Sequence, residues 1–374
     1  MDILTLDGSD GEGGGQILRT ALSLSTITAR AFRMVNIRSN RRKPGLMPQH
    51  LCAVRAAAAI SGAVLAGDYL GSTELEFAPA HVPWSGDYVF DVAETAELGS
   101  AGSVSLILQT LLVPLAFADK ACSLTLRGGT HVEWSPSFDF LANAYFPALR
   151  HMGFCFDALL KRWGWYPAGG GELVCRIAPR ADSFCGRARP APIEVVAPGT
   201  LRRIAGRAVA ANLPSHIPQR MADRACALLA SLHVPIDIEQ QLVTATSPGA
   251  GIFIAAEYEQ LNASFSGLGR RGKPAELVAE EAVAALLDHH ASGAAVELHL
   301  ADQLLLPLAL ASGTSTFTAA RPTRHFLTNA WTIGEFGLAE IVIEQEAYCR
   351  VRVTPTSGSR NGPRVNPGEA SGDV

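Results

Sequence analysis

Three groups of residues have the types and spacing that chemistry on phosphate needs. The first is Asp7-Gly8-Ser9-Asp10-Gly11-Glu12-Gly13-Gly14-Gly15-Gln16, with Arg19 one helical turn further on. Glycines that open an apolar helix leave backbone N–H groups and the positive end of the helix dipole facing outward, which suits an anion. A plain tight turn would use the same residues. The Gly-Lys-Ser/Thr ending of a Walker loop is missing, which excludes that site. Glu12 can hold Mg²⁺ through its carboxylate, and Arg19 can fork onto phosphate. The second group is the stretch from Asn36 to His50, where Arg38, Arg41, Arg42 and Lys43 precede a helix whose first turn would project Gln49 and His50. From Arg30 to Lys43 there are six cations and no acid, readable as a solvated face or as a phosphate patch. The third is Arg324-His325-Phe326-Leu327-Thr328-Asn329. By itself His325 reads as a capping or packing histidine as readily as a reactive one, and neither an HExxH pair nor a Ser-His-Asp order competes with it. His131, after Gly128-Gly129-Thr130, equally shapes a loop or lines a cleft.

Composition narrows the class. The chain has 374 residues, 48% of them hydrophobic and 18% charged, which excludes a disordered protein and predicts roughly two or three domains. Of the 31 basic residues only Lys43, Lys120, Lys161 and Lys273 are lysine. Arginine suits planar phosphate recognition, although genome base composition produces the same bias. The seven cysteines are odd in number and form no CxxC pair, so neither a zinc site nor a disulfide framework is expected. The acidic N-terminus is unlike a signal peptide. The most apolar window, Val104 to Ala118, is too short to span a membrane. A reducing, cytoplasmic setting without a membrane partner is the expectation.

The elements that must position these residues repeat three times. Unit one reads as a strand at Ile3–Leu6, a helix from Ile17, a strand at Phe32–Ile37, a helix from His50 to Ile60 and a hairpin ending at Leu75–Phe77. Unit two starts at Tyr88–Val92, opens a helix at Val104 after Gly99-Ser100-Ala101-Gly102-Ser103, and continues with Cys122–Leu126, one helix over Phe138–Met152 and a strand at Leu173–Ile177. Unit three is expected to begin with a strand at Val296–Leu300, followed by a helix that Ala301-Asp302-Gln303 opens. It ends with a strand at Thr316–Thr318, a helix after Pro322, and strands near Ile341–Glu344 and Tyr348–Val353. Each unit thus reads β-α-β-α-β-β. Gly15 and Ser103 lie 88 residues apart but Ser103 and Asp302 lie 199 apart, an excess of 111. The expected fold class is α/β (α+β): three repeated units over 1–183 and 276–355, with a smaller α/β domain inserted at 184–275. The insert would hold strands near Ile193–Val196, Gly206–Val209, Ile236–Glu239 and Gly251–Glu257, with a helix from Ile217 to Leu232 capped by Ser215. Residues 356–374, rich in Gly, Pro and Ser, read as a disordered tail.

These segments together resemble the RNA 3′-terminal phosphate cyclase family. The resemblance rests on Leu6-Asp7-Gly8 through Arg19, Arg42-Lys43-Pro44-Gly45-Leu46 through Leu51, Gly99 through Gln109, Gly128-Gly129-Thr130 and Gly164 through Gly171. His299-Leu300-Ala301-Asp302-Gln303-Leu304 and His325 through Asn329 complete it. It covers about residues 3–355, and its motifs are specific as a set rather than singly. It implies a threefold-repeated core with an inserted domain and an ATP-driven reaction in three steps. A histidine takes AMP from ATP, the AMP passes to an RNA 3′-phosphate, and the neighbouring 2′-hydroxyl then closes a 2′,3′-cyclic phosphodiester. Carried over position by position, His325 is the nucleophile. Gln109, His299, Leu300, Ala301, Asp302 and Gln303 form the ATP site, and Pro136 and Phe140 flank adenine. Arg19, Arg38, Arg41, Gln49 and His50 bind the triphosphate or the RNA phosphate, and Glu12 is the ligand of Mg²⁺ or Mn²⁺. The partners implied are ATP and RNA 3′-phosphate ends, with a homodimer left open. The loop Val92–Leu98 departs from the family pattern by its length and adds Glu94 and Glu97. A non-enzymatic relative acting in RNA processing would lack His325, and an enolpyruvyl transferase would leave the 299–303 and 325 segments unexplained.

Overall fold

The computed structural model describes residues 3–95, 100–180, 189–345 and 348–356. The proposed tail beyond Thr356 and the part of the 92–98 loop beyond Thr95 lie outside them.

The first segment runs β1 (Leu4–Asp7), α1 (Gln16–Thr28), β2 (Phe32–Val35), α2 (Pro48–Ser61), β3 (Val64–Ala66) and β4 (Leu75–Ala78). Helix α1 buries Ile17, Leu18, Ala21, Leu22 and Leu24. Proline at the first position starts α2, where its missing N–H costs nothing, and Gly62 at φ 60° ends it. The second segment holds β5 (Asp87–Asp91), α3 (Val104–Leu115) and β6 (Cys122–Gly128). The single helix expected over Phe138–Met152 is instead α4 (Phe138–Phe140), a π-helical turn over Leu141–Tyr145, and α5 (Phe146–His151). Strands β7 (Phe156–Arg162) and β8 (Gly171–Ile177) follow, β7 being absent from the sequence reading.

Next comes β9 (Glu194–Val195), then β10 (Leu201–Ala211), α6 (His216–Leu229), β11 (Ile236–Val243), β12 (Gly249–Tyr258), β13 (Ala263–Leu268) and α7 (Ala275–Ser292). The chain ends with α8 (Leu298–Ala309), β14 (Ser315–Ala319), α9 (Arg324–Glu335), β15 (Ala339–Gln345) and β16 (Cys349–Pro355).

The architecture is mixed α/β, with four-stranded sheets of order β1-β2-β4-β3, β5-β6-β8-β7, β9-β14-β16-β15 and β11-β10-β12-β13. In the first three, the opening strand lies parallel to the second, and the remaining pairs are antiparallel. A parallel pair needs a crossover, which α1 supplies for β1–β2 and α3 for β5–β6. Between β9 and β14 that crossover contains the whole fourth sheet as well as α8.

Three expectations are corrected here. The strand Ile193–Val196, assigned to the insert, becomes β9 and pairs with β14. Val296–Leu300 is not a strand: Val296 makes one isolated bridge to Ala319, and α8 begins at Leu298. The cause is Glu297, whose carboxylate accepts from the backbone N–H of His299 and Leu300 and so caps the helix there. Ser215 precedes α6 as expected but makes no side-chain cap.

One apolar core runs beneath the first three sheets and includes Leu6, Leu18, Leu108, Leu124, Leu304 and Phe317. A separate core joins Ile204, Met221 and Ile254 to Val278, Ala282 and Leu286 of α7. Residues 275–292 therefore pack on the fourth sheet.

Candidate active site

Helices α1, α2, α3, α8 and α9 bring the chemical residues to one place. Helix α1 supplies Arg19 and its own N-terminus. The N-caps distinguish the three helices that open on small or polar residues. Ser103 caps α3 through Leu106 N–H, and Glu297 fills the end of α8. Gly15 gives α1 no side-chain cap. Only at α1, among these three, are the first N–H groups left to an incoming anion.

The loop before α1 holds Glu12 almost buried, its Oε2 lying 3.0 Å from Arg41 Nη2 and 3.0 Å from His325 Nε2. Gly11 and Gly13 adopt φ near +60°, open to glycine at no steric cost. The Glu12 N–H donates to Thr328 Oγ1 at 3.2 Å, tying the loop to α9. Helix α9 starts at Thr323, whose hydroxyl accepts from the Phe326 N–H. This places His325 in the first turn, facing the carboxylate. Asn329, one turn along, joins three helices: its Oδ1 accepts from Gln16 Nε2 at 3.0 Å and from Thr20, and its Nδ2 donates to the Asp302 carbonyl at 2.9 Å. Gln109 of α3 donates to Gln303 of α8. A pocket lined by Arg19, Gln109, Tyr145, Asp302, Gln303 and Asn329 lies between these helices.

Burial sets the protonation states. It pushes the Arg19 guanidinium down to about 10 against the pull of Glu12 and Asp302, so it stays cationic at neutral pH. Burial, then Arg19 and Arg38, hold His50 well below the usual imidazole value. His50 is thus neutral, and because Nδ1 accepts from the Met47 N–H, the proton sits on Nε2. Burial is also the chief cause that lowers His325, with Glu12 opposing it and Arg19, His299 and Arg41 assisting. A neutral imidazole retains a nucleophilic lone pair. Burial raises the Asp302 carboxyl to about 8, so it is protonated at neutral pH. The carboxylate of Glu297 lifts His299 to about 9.

The sequence model of the RNA 3′-terminal phosphate cyclase family matches residues 10–343. The chain belongs to this family. It is 50% identical over 341 residues to the RNA 3′-terminal phosphate cyclase of Methylococcus capsulatus, covering 91% of this chain and 93% of that one. The cyclase of Gloeothece citriformis is 48% identical over 92% of this chain and 96% of its own length. That of Salmonella agona is 42% identical over 89% and 92%. The enolpyruvyl transferase NikO of Streptomyces tendae matches at 10% identity and a TM-score of 0.26, over 62% of this chain and 38% of that one, too weak to carry an argument.

Six of the fifteen residues implied by the cyclase resemblance, Glu12, Arg19, Arg41, His50, Asp302 and His325, lie within one charged cluster, and Gln109 and Gln303 line the adjoining pocket. Others stand apart from it. Leu300 and Ala301 are buried in the core and offer a substrate no polar side chain. Phe140 is likewise a core residue at 6% exposure, so of the two residues expected to flank adenine only half-buried Pro136 is open. Arg38 donates to the carbonyls of Lys43 and Gly45 and holds the basic loop in shape. The six-cation run is divided: Arg33 pairs with Glu74 on the sheet face, and Arg30 donates to the Glu335 carbonyl. His131 turns out buried, its Nε2 2.8 Å from Asp139 Oδ2, with Arg207 of β10 forked onto the same carboxylate at 2.6 and 2.9 Å. Asn329, Glu297, Asp139 and Arg207 carried no role in the sequence reading. A signal existed only for Asn329, which is one helical turn from His325.

Proposed function

We propose that this chain is an ATP-dependent RNA 3′-terminal phosphate cyclase with His325 as its covalent nucleophile. The observation that carries the reading is the placement of His325, 3.0 Å from Glu12 Oε2 in the loop that leads to the uncapped N-terminus of α1 and in the field of Arg19 and Arg41, in a member of the cyclase family. In the first step a ring nitrogen of His325 attacks the α-phosphorus of ATP. The N–P bond forms as the bond to the bridging oxygen breaks, and pyrophosphate leaves. An oxygen of the RNA 3′-phosphate then displaces the histidine nitrogen. Finally the 2′-hydroxyl oxygen attacks the activated 3′-phosphorus, loses its proton and expels AMP. Closure is intramolecular, an advantage worth several kcal/mol at good alignment.

The protein groups divide this work. Arg19 and the α1 N–H groups meet phosphate oxygens, with Arg41 and neutral His50 at their edge. Gln109, Asp302 and Gln303 line the nucleotide pocket. Glu12 faces Nε2 of His325, so attack through that atom requires its proton to move to Glu12 or to Nδ1. Among the described residues no cluster of three metal-ligating side chains exists. Glu12 would hold an ion together with substrate phosphates, which is how Mg²⁺ is commonly bound. Such an ion would offset charge on the departing pyrophosphate.

We further read the first three sheets, with their common strand order, as a threefold core interrupted after β9 by the 201–292 domain. The cysteines described in the structure are free, and no described helix is long and apolar enough to cross a membrane. The free thiols support a reducing, cytoplasmic setting. The deciding experiment incubates the protein with α-³²P-ATP and Mg²⁺. Acid-labile, alkali-stable label on the denatured chain, absent in His325→Ala, is the expected result. A folded protein that takes no label, with or without a 3′-phosphorylated oligonucleotide, would refute the reading.

A further inference from the structure

A second and larger cavity, about 1110 Å³, begins at Gln49 beside His50. It passes between the 131–134 loop and the turn that enters α7. Its volume exceeds the ~300–1,000 Å³ of a small-molecule pocket, so a polymer segment fits it better than a metabolite. Two aromatic side chains stand in the opening, Trp134 at 96% exposure and Tyr166 at 76%. Trp134 also sits at φ 62°, a backbone conformation that a bulky residue rarely adopts. A solvated indole gives the fold no packing in return for that strain, which points to a ligand.

The charge of the walls has one dominant sign. Arg220 is committed to Glu276 at 2.7 Å and Lys273 to Glu281. Arg270 and Arg271, between Gly269 and Gly272, are exposed and have no ion-pair partner among the described residues. Glu133 is the one acid in the lining. Exposed flat rings beside uncommitted guanidiniums make a platform for stacked bases and a track for their phosphates.

We propose that this groove holds the nucleotides preceding the terminal phosphate of a single-stranded RNA. Their bases stack on Trp134 and Tyr166, while Arg270 and Arg271 meet the backbone. The direction, with the 3′ end toward Gln49, rests on the reading of the His325 site given above.

The test measures fluorescence-anisotropy affinities of the full chain for a 3′-phosphorylated decamer and a 3′-phosphorylated dinucleotide. The unaltered protein should bind the decamer at least about 10-fold tighter, since each stacked base is worth roughly 5- to 160-fold. Trp134→Ala and Arg270→Glu/Arg271→Glu should each bring that ratio down toward one. The double charge variant should also flatten the dependence of decamer affinity on salt, and Trp134→Phe, which keeps a ring, should restore most of the preference. An unchanged ratio in both variants would overturn the proposal. So would a self-adenylylating protein that binds no oligonucleotide tightly, which would assign the groove to a protein segment. The adenylylation assay separates the two readings: label without length preference refutes the groove alone, whereas a folded protein without label refutes the His325 site.

Discussion

A buried carboxylate, Asp139, joins the fourth sheet to the rest of the protein beside the packing of Trp165 on Val209 and Phe253, and Arg207→Met tests what that carboxylate needs. Asp139 is 5% exposed and His131 fully buried, while Arg207 is 26% exposed. Trp163 stacks on both the imidazole and the guanidinium, with centroid distances of 4.3 and 4.7 Å. Methionine keeps part of the aliphatic volume and removes both N–H donors. Breaking a buried pair by deleting one partner costs about 3–5 kcal/mol. The lower end, about 3 kcal/mol, applies here because His131 stays 2.8 Å from Oδ2 and because part of the arginine already faces water. The pH dependence carries its own sign. Burial lowers His131 first, Arg207 adds to that, and Asp139 opposes; the native imidazole is neutral and contributes least stability below its unfolded pKa of about 6.5. Without Arg207 the imidazole gains proton affinity from Asp139. Burial still opposes protonation, but any upward shift of the folded imidazole relative to the native one returns proton-linked stability as pH falls, so the variant should be less impaired at pH 6 than at pH 8. Urea unfolding monitored by tryptophan fluorescence at both pH values measures this. Adding Asp139→Asn should recover part of the loss, because no buried charge then remains unpaired. A loss under about 1 kcal/mol at pH 8, or a double variant no better than Arg207→Met, would refute the argument.

Two further substitutions probe the site itself. An added Cβ at Gly15 would lie 2.3 Å from His50 Nε2 and 2.9 Å from Arg19 Nη1, while the φ of −83° suits alanine. Gly15→Ala should therefore displace both side chains and cut adenylylation about 100-fold with little change in melting temperature; activity within threefold of the parent would contradict it. At Asp302, raised by burial to about 8, ionisation with rising pH adds negative charge to the proposed nucleotide pocket. ATP affinity should fall through pH 8, and Asp302→Asn should abolish that alkaline limb in a titration by calorimetry. The same raised pKa makes the carboxyl cost stability as pH climbs from about 3.9 toward 8. Asp302→Asn should consequently melt higher at pH 8, and a lower melting point there would refute the assigned shift.

What the sequence determined by itself is largely local. The glycines before α1, the proline before α9 and the alternation in β6 and β8 are signals read within one or two turns. They delimited most elements and brought Glu12, Arg19, His50 and His325 forward as candidates. Everything that depends on a partner distant in the chain was decided by the tertiary structure. Ile193–Val196 reads as a strand in the sequence, but that it pairs with β14 instead of joining the insert's sheet was decided by the edge that β14 offers. Glu297 is acidic like any surface residue until its carboxylate closes over the start of α8 and begins that helix at Leu298, ahead of the Ala301-Asp302-Gln303 run expected to open it. Of the cations between Arg30 and Lys43, those on β2 and at its edge turn to the sheet face and to α9, and Arg41 turns to Glu12, because strand register and loop path select among side chains that are alike in sequence. Arg207 and Asp139 lie 68 residues apart and meet only because the fourth sheet packs against α4. Local periodicity specifies which segments form; the pairing of edges and the burial of charge specify which of their residues meet.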